Sequence, residues 1–162
     1  MNSNTPLIER FKTYFRVLHE SDLSQLRHLY SDQVVFKDPV HEIRGLVELE
    51  DYFTDLCGDL TDCRFEYLDE LVTDHAAYVK WVMHFKHPRL GNRLISVRGV
   101  SHLKISDKID YHEDFYDMGA MLYEQLPLLG SVTRWLRLRL AKPGAVASAT
   151  DVGVLIERGE QP

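Results

Sequence analysis

The chain has 162 residues, of which 44% are apolar and 27% charged. This is the size and composition of one globular domain that can bury its own core. The net charge of -6 argues against nucleic acid as the main partner, because phosphate binding needs a basic surface.

The two cysteines, Cys57 and Cys63, are too few for a disulfide framework and lack the spacing of a zinc site. The first residues have no signal-peptide pattern. No apolar run approaches the roughly 20 residues that cross a bilayer. These features predict a cytoplasmic protein with reduced thiols and no membrane insertion.

Apolar residues recur every three or four positions in the first part of the chain, which predicts helices. The predicted helices begin at Thr5-Pro6 and at Ser21-Asp22, and a third covers residues 46–56, with Gly58 as its C-terminal cap. A short strand at residues 34–36 must end at Asp38-Pro39, because proline lacks a backbone donor and restricts the residue before it.

From residue 63 the apolar period becomes two, which predicts strands separated by turn residues. The predicted strands cover residues 63–73, 76–86, 93–105 and 108–117. Helices followed by consecutive strands predict an α+β domain, with the helices packed on one face of a curved, mostly antiparallel sheet. Two helical pieces, 118–126 and 130–140, extend this domain to residue 141, and a loose tail is predicted for residues 142–162.

Several segments resemble a known superfamily. Residues 36–40 (FKDPV) resemble the stretch of bacterial ketosteroid isomerases that carries the general-base aspartate, here Asp38. Tyr14 falls where those enzymes place an oxyanion-hole tyrosine. Residues 101–105 (SHLKI) are similar to the strand with their second oxyanion-hole acid, although Ser101 stands where an aspartate is expected. The layout of residues 5–118 resembles the nuclear transport factor 2-like superfamily, SnoaL-like branch, which implies a cone-shaped domain around a cavity and no cofactor.

A second resemblance concerns the last strand. Residues 112–117 (HEDFYD) are similar to the segment of limonene epoxide hydrolases that carries one of two catalytic aspartates, here Asp114. Residues 80–82 (KWV) stand where those enzymes have an Arg-x-Asp pair. The second aspartate is therefore missing, and the full epoxide-opening relay is not expected.

Because side chains alternate along a strand, Asp114, His112 and Tyr116 should share one face. The same reasoning places Lys80, Val82 and His84 in the cavity from the middle strand, and Val97, Ser101 and Leu103 from the next. Phe36 and Phe53 should add apolar surface. A mostly apolar cavity with a few polar groups is typical of a small-molecule site. His84, His102 and His112 do not converge on this pattern, so no metal is expected.

Each candidate has two interpretations. Asp38 either acts as a general base or only shapes the turn before Pro39. Asp114 either activates water or a substrate hydroxyl, or forms a buried ion pair with Lys80. Tyr14 is either a donor or a core aromatic. Two functions are therefore open: a cofactor-independent isomerase, cyclase or hydrolase of a hydrophobic carbonyl compound with Asp38 as base, and a catalytically silent dimer that binds a ligand or a partner.

Two predicted surfaces are candidates for contact with a partner. Trp81, Met83 and Phe85 should alternate onto the face opposite Lys80, and an apolar outer face predicts a homodimer through the sheet. Trp135 and its basic neighbours predict a short cationic amphipathic helix. Its alternatives are a membrane surface or packing across the cavity mouth or onto the partner subunit.

Overall fold

A computed structural model gives the fold and describes residues 3–60, 62–121 and 127–140. The α-helices are α1 (Thr5–Phe15), α2 (Leu46–Asp59), α3 (Met118–Met121) and α4 (Pro127–Leu140). The strands are β1 (Tyr30–Lys37), β2 (Glu42–Arg44), β3 (Asp62–Val72), β4 (Ala76–Lys86), β5 (Ile95–Ile105) and β6 (Ile109–Tyr116). Short 3-10 turns cover Leu18–Glu20, Leu23–His28 and Pro88–Leu90.

The six strands form one curved sheet in the order β2-β1-β6-β5-β4-β3. Strands β3 to β6 are a consecutive antiparallel meander. Strand β1 joins it in parallel beside β6, with Phe36 opposite His112, and β2 pairs antiparallel with β1. Helices before a meander give an α+β domain with the cone fold, as predicted.

The helices bury their apolar faces against the concave side of the sheet. The buried residues of α1 are Leu7, Ile8, Phe11, Tyr14 and Phe15, which lie at helical spacing. Asn4, just before this helix, donates from its side chain to the carbonyls of Thr73 and Asp74, at 3.0 and 2.9 Å. This contact attaches the start of α1 to the turn between β3 and β4.

Several boundaries differ from the sequence predictions. The second helix is only a 3-10 turn, where the side chain of Asp22 accepts from the Ser24 amide at 3.0 Å. Gly58 is not a cap, because α2 continues to Asp59 and leaves through Leu60 in an extended conformation. Helix α4 begins at Pro127, since proline suits the first turn of a helix.

The C-terminal part is described only in pieces. Of the predicted helix 118–126, α3 accounts for the first four residues, and the predicted tail 142–162 lies outside the described residues. In α4, Trp135 is 55% exposed. Among the helices of the described ranges, none is long and apolar enough to cross a membrane.

The prediction of which β4 face lines the concave side is wrong. Trp81 lies opposite Gly99 and Val79 opposite Ser101, while Asp114 also lies opposite Ser101. The residues that share the concave face with Asp114 are therefore Trp81, Met83 and Phe85, and Lys80, Val82 and His84 lie on the convex face. The concave face of β4 is the apolar one, and its opposite face carries Lys80, His84 and Lys86, so burial of the apolar face against the helices decides the orientation.

The observed orientation of β4 affects the predicted homodimer surface and the predicted Lys80–Asp114 ion pair. Because Trp81 and Phe85 are buried on the concave side, they no longer provide an apolar outer face for a homodimer. Lys80 is on the opposite side of the sheet from Asp114, so the buried ion pair between them does not form.

Gly99 is required by the ring that covers it. A Cβ at this position would overlap three atoms of the Trp81 indole. We expect Gly99→Ala to lower the free energy of unfolding by about 1–3 kcal/mol, the usual cost of overpacking a core. Urea unfolding measures it. Gly58→Ala is the control: it lies in α2 with nothing within 4 Å of its Cβ and should stabilise by about 0.5–1 kcal/mol. Equal changes in the free energy of unfolding for Gly99→Ala and Gly58→Ala would contradict the close contact between Trp81 and Gly99.

Candidate functional site

A cavity of about 620 Å³ lies between the concave face of the sheet and helices α1 and α2. Most of its wall is aromatic or aliphatic. The aromatic lining residues are Phe11, Phe15, Phe36, Tyr52, Phe53, Phe65, Tyr67, Trp81, Phe85 and Tyr116. The polar lining residues are Asp38, His41, Asp55, His87, Arg89, Ser101, His112 and Asp114. Volume and lining are those of a small-molecule site.

A chain of hydrogen bonds crosses the sheet beneath this cavity. Trp81 Nε1 donates to Ser101 Oγ at 2.9 Å, and Ser101 Oγ donates to Asp114 Oδ1 at 2.5 Å. His112 Nε2 lies 2.8 Å from the same oxygen, and Tyr30 Oη lies 2.8 Å from His112 Nδ1. We call these five residues the Trp81–Tyr30 chain. It links β4, β5, β6 and β1.

The chemistry of its members fixes the direction of most of these bonds. An indole N–H can only donate, so Ser101 passes its own proton on to Asp114. An ionised carboxylate is acceptor-only, which places a ring proton on His112 Nε2. The direction of the bond between His112 Nδ1 and the Tyr30 hydroxyl depends on the protonation of the imidazole: a singly protonated ring accepts there and a doubly protonated ring donates.

Asp114 has one oxygen held and one available. Oδ1 takes both hydrogen bonds, from Ser101 and His112. Oδ2 has no hydrogen-bond partner among the described residues, and the side chain is 18% exposed at the cavity wall. A carboxylate with this orientation and a free oxygen can accept a proton from a bound molecule.

Asp38 has a different environment at the same cavity. Oδ1 accepts from the amides of Val40 and His41 at 2.7 Å each. Oδ2 accepts from Tyr52 Oη at 3.0 Å and lies 3.0 Å from His41 Nδ1. Its side chain is 4% exposed. Asp38 therefore shapes the turn at Pro39, and both of its oxygens are occupied.

Two phenols lie in the electric field of both carboxylates. Burial raises the pKa of Tyr52, and the charges of Asp38 and Asp114 raise it further. The pKa of Tyr116 is raised by the same causes, burial first. Both groups stay protonated at neutral pH and can donate. Tyr116 lines the cavity and is suited to a polar atom of a ligand.

The structure brings together seven of the twelve residues predicted for the site. Those lining the cavity are Phe36, Asp38, Phe53, Ser101, His112, Asp114 and Tyr116. Val97 is buried on the same sheet face behind the lining. Tyr14 is a buried core residue outside the lining, and its hydroxyl has no hydrogen-bond partner. Lys80, Val82 and His84 are on the convex face, as described above.

Sequence reasoning missed Tyr30, His41, Tyr52 and Trp81. Tyr52 lies at helical spacing among the apolar residues of α2, where its hydroxyl gave no signal. His41 follows Asp38 by three residues, the spacing of a side chain that closes a turn, and this was a usable signal. Tyr30 reaches His112 only through the parallel pairing of β1 with β6, which local periodicity cannot reveal.

No group of three or more histidine, cysteine, aspartate or glutamate side chains in the described ranges is arranged to hold a metal ion. Cys57 and Cys63 are free thiols. Burial raises the pKa of the Cys63 thiol to about 12, which makes it a poor nucleophile at neutral pH.

Loss of the Tyr30 hydroxyl should destabilise the protein. Tyr30→Phe would leave Nδ1 of the buried His112 without a partner, at a cost of about 1–3 kcal/mol in the free energy of unfolding. Tyr14→Phe is a matched control, because its buried hydroxyl has no partner, and it should change stability by less than about 0.5 kcal/mol. Urea unfolding of both variants checks this. Equal losses would show that the Trp81–Tyr30 chain adds nothing.

Alkaline pH should weaken the fold. Burial raises the pKa values of Tyr14, Tyr52 and Tyr116 above their ordinary value of 10.0. The unfolded chain therefore loses these protons first as pH rises. Stability should begin to fall at about pH 8–9, because the unfolded Cys63 thiol loses a proton that the folded thiol keeps, its pKa being raised from 9.0 to about 12. The three phenols should make the fall steeper above about pH 10. Urea unfolding at each pH measures this, and Tyr14→Phe should reduce the slope. A slope that Tyr14→Phe leaves unchanged would contradict the role of that phenol.

Solved structures share this fold at low sequence identity. An NTF2-like protein of unknown function from Burkholderia pseudomallei superposes with a TM-score of 0.67 at 14% identity, covering 75% of this chain and 96% of that one. A protein with a ketosteroid isomerase-like fold from Catenulispora acidiphila, in complex with trimethylamine, gives 0.65 at 9%, covering 73% and 90%. TerC, co-crystallised with polyporic acid, gives 0.64 at 15%, covering 73% and 94%.

Sequence comparison gives two further findings. Dihydroneopterin aldolase of Escherichia coli strain K12 is 68% identical over 25 residues, which are 15% of this chain and 20% of that enzyme. The chain thus spans about a fifth of the length of the curated relatives it matches. The model of the SnoaL-like domain matches residues 11–112, more than half of the chain. The chain belongs to the SnoaL-like domain family.

Proposed function

We propose that the cavity binds a hydrophobic small molecule and that Asp114 acts on it as a general base in a cofactor-independent reaction. The observation that carries this proposal is the state of Asp114: Oδ1 is fixed by Ser101 and His112, while Oδ2 is unpartnered among the described residues at an apolar wall. Positioned general bases contribute about 100- to 10,000-fold in rate.

Asp38 is the competing base, and its environment makes it the weaker candidate. Four hydrogen-bond donors surround its two oxygens. Each of them occupies a lone pair of the carboxylate that a proton from a bound molecule would have to use. The same contacts hold the turn at Pro39 and the ring of Tyr52, so we assign Asp38 mainly to shaping the cavity.

A proton taken from carbon next to a carbonyl leaves negative charge on the ligand oxygen, which needs a donor. Tyr116 can fill that role because its protonated hydroxyl lies in the lining near both carboxylates. Tyr14, the donor implied by the ketosteroid isomerase resemblance, is outside the lining. The proposed pair is therefore Asp114 as base and Tyr116 as donor.

A catalytically silent binding protein is the second candidate. It is favoured by Ser101, which leaves this strand without the second acid that the ketosteroid isomerase resemblance implies. The cavity would then hold its ligand without proton transfer. Neighbouring structures with trimethylamine and polyporic acid support a small-molecule ligand under either candidate.

Other expectations have no direct test in the structure. We retain residues 1–141 as the domain and cytoplasmic localisation as predictions. A homodimer would now have to use other residues of the convex face, where Tyr78 and Phe115 are exposed.

Binding should show first in a thermal-shift screen against steroids, terpenoid epoxides, polyketide-like aromatics and fatty acids. A ligand at a hundredfold excess over its Kd stabilises the folded state by about 2.7 kcal/mol, which raises Tm by about 5–11 °C at this size. Absence of a shift from every class would contradict a preformed binding site.

Catalysis is tested by exchange of carbon-bound hydrogen for deuterium in aryl ketones, with and without a basic amine, followed by NMR. Asp114→Asn should slow exchange by about 100-fold or more, and Asp38→Asn, its matched control, by less than about tenfold. The reverse order would return the base to Asp38. Binding without exchange in the wild type would establish the silent candidate.

A further inference from the structure

The electrostatics of the cavity point to the charge of its ligand, an inference that rests on the proposed binding function. Asp38 has His41 beside it, a residue at the exposed rim that supplies positive charge when protonated. Asp114 is held differently: Ser101 and His112 both contact Oδ1, and Oδ2 has no partner among the described residues. No lysine or arginine of the described ranges forms an ion pair with either carboxylate.

The cationic side chains near the cavity do not compensate Asp114. Lys80, the expected partner, is on the other face of the sheet. Arg89 and His87 line the mouth, at the turn Pro88–Leu90 between β4 and β5, where Arg89 is exposed. A carboxylate oxygen left without a partner at an apolar wall is costly, so a positive ligand group beside Oδ2 would supply the contact that the described residues do not provide.

The walls around this carboxylate are suited to a cation. Rings of Trp81 and Tyr116 lie with centroids 6.4 Å apart, and Phe36 and Tyr52 line the same cavity, 5.4 Å apart. The faces of such rings attract ammonium groups by about 0.5–2 kcal/mol each. The raised pKa of Tyr116, to which both carboxylates contribute after burial, shows that this part of the cavity has a negative potential.

We propose that the ligand carries a positive charge, as an amine or quaternary ammonium group on a hydrophobic body, and that this group lies between Asp114 Oδ2 and the aromatic rings. A neutral ligand would fill the cavity without meeting the carboxylate, and an anionic ligand would be repelled by it.

The test compares ligands of one shape and different charge. Phenyltrimethylammonium and tert-butylbenzene differ by a positive nitrogen in place of a carbon, and 4-tert-butylbenzoate supplies an anion. Trp135→Phe leaves Trp81 as the only tryptophan of the chain, so its fluorescence reports the cavity. We expect the cation to bind at least about tenfold more tightly than the neutral isostere.

Asp114→Asn in this background should bring the two affinities to within about threefold, because the carboxylate is replaced by a neutral amide of the same shape. Glu66→Gln is the control for net charge, since Glu66 lies opposite Val82 on the convex side and is exposed; it should keep the preference. A preference retained by Asp114→Asn would overturn the assignment to Asp114.

The remaining outcomes separate this inference from the proposed function. Equal affinity of the wild-type cavity for cation and neutral isostere, or tightest binding of the benzoate, would overturn the cation inference and leave small-molecule binding established. Failure of all three ligands to bind would overturn both. If Asp114→Asn does not fold, the affinities of phenyltrimethylammonium and tert-butylbenzene for the wild-type cavity still test whether the ligand is a cation.

Discussion

The hydrogen-bonded Trp81–Tyr30 chain is the interaction on which the cavity depends. It begins with an indole N–H, which cannot accept, so Ser101 accepts from Trp81 and donates to Asp114. All its members except Asp114 are buried, so an unpaired atom anywhere along it would cost about 1–3 kcal/mol. The arrangement that makes Asp114 an oriented anion is therefore also part of what holds four strands in register, and site and fold are stabilised together.

Packing explains why a serine occupies position 101. Trp81 lies across Gly99, the small residue that gives the ring room, and its N–H then reaches Ser101, two residues further along the same face of β5. An aspartate at 101 would face Asp114 directly, since the two positions are cross-strand partners, and like charges there repel. The acid expected on β5 is absent because its neighbour on β6 carries the charge, with Ser101 serving as its donor.

Local patterns predicted the elements well and the long-range pairing less well. The limits of the four meander strands were within two residues of the observed ones because turn residues mark them. Strand β1 begins four residues before its predicted start, and β2 was not predicted. On β6 the face that carries Asp114, His112 and Tyr116 lines the cavity. On β4 the apolar face with Trp81 points inward, although the face with Lys80 and His84 was expected there. Tyr30 has no local mark at all, because its contact with His112 comes from a parallel strand 82 residues away in sequence.

The two aspartates of the cavity, Asp38 and Asp114, have different environments although they carry the same side chain. Asp38 follows a strand that ends at a proline, and the turn there directs two amides at one of its oxygens. Asp114 lies within a strand, where backbone amides are used by the ladder, so only side chains can satisfy it. Ser101 and His112 contact Oδ1 of Asp114, and Oδ2 is left available to a ligand in the cavity. The difference between Asp38, which shapes a turn, and Asp114, which we propose as the base, thus follows from position: one lies in a turn and the other in the interior of a strand.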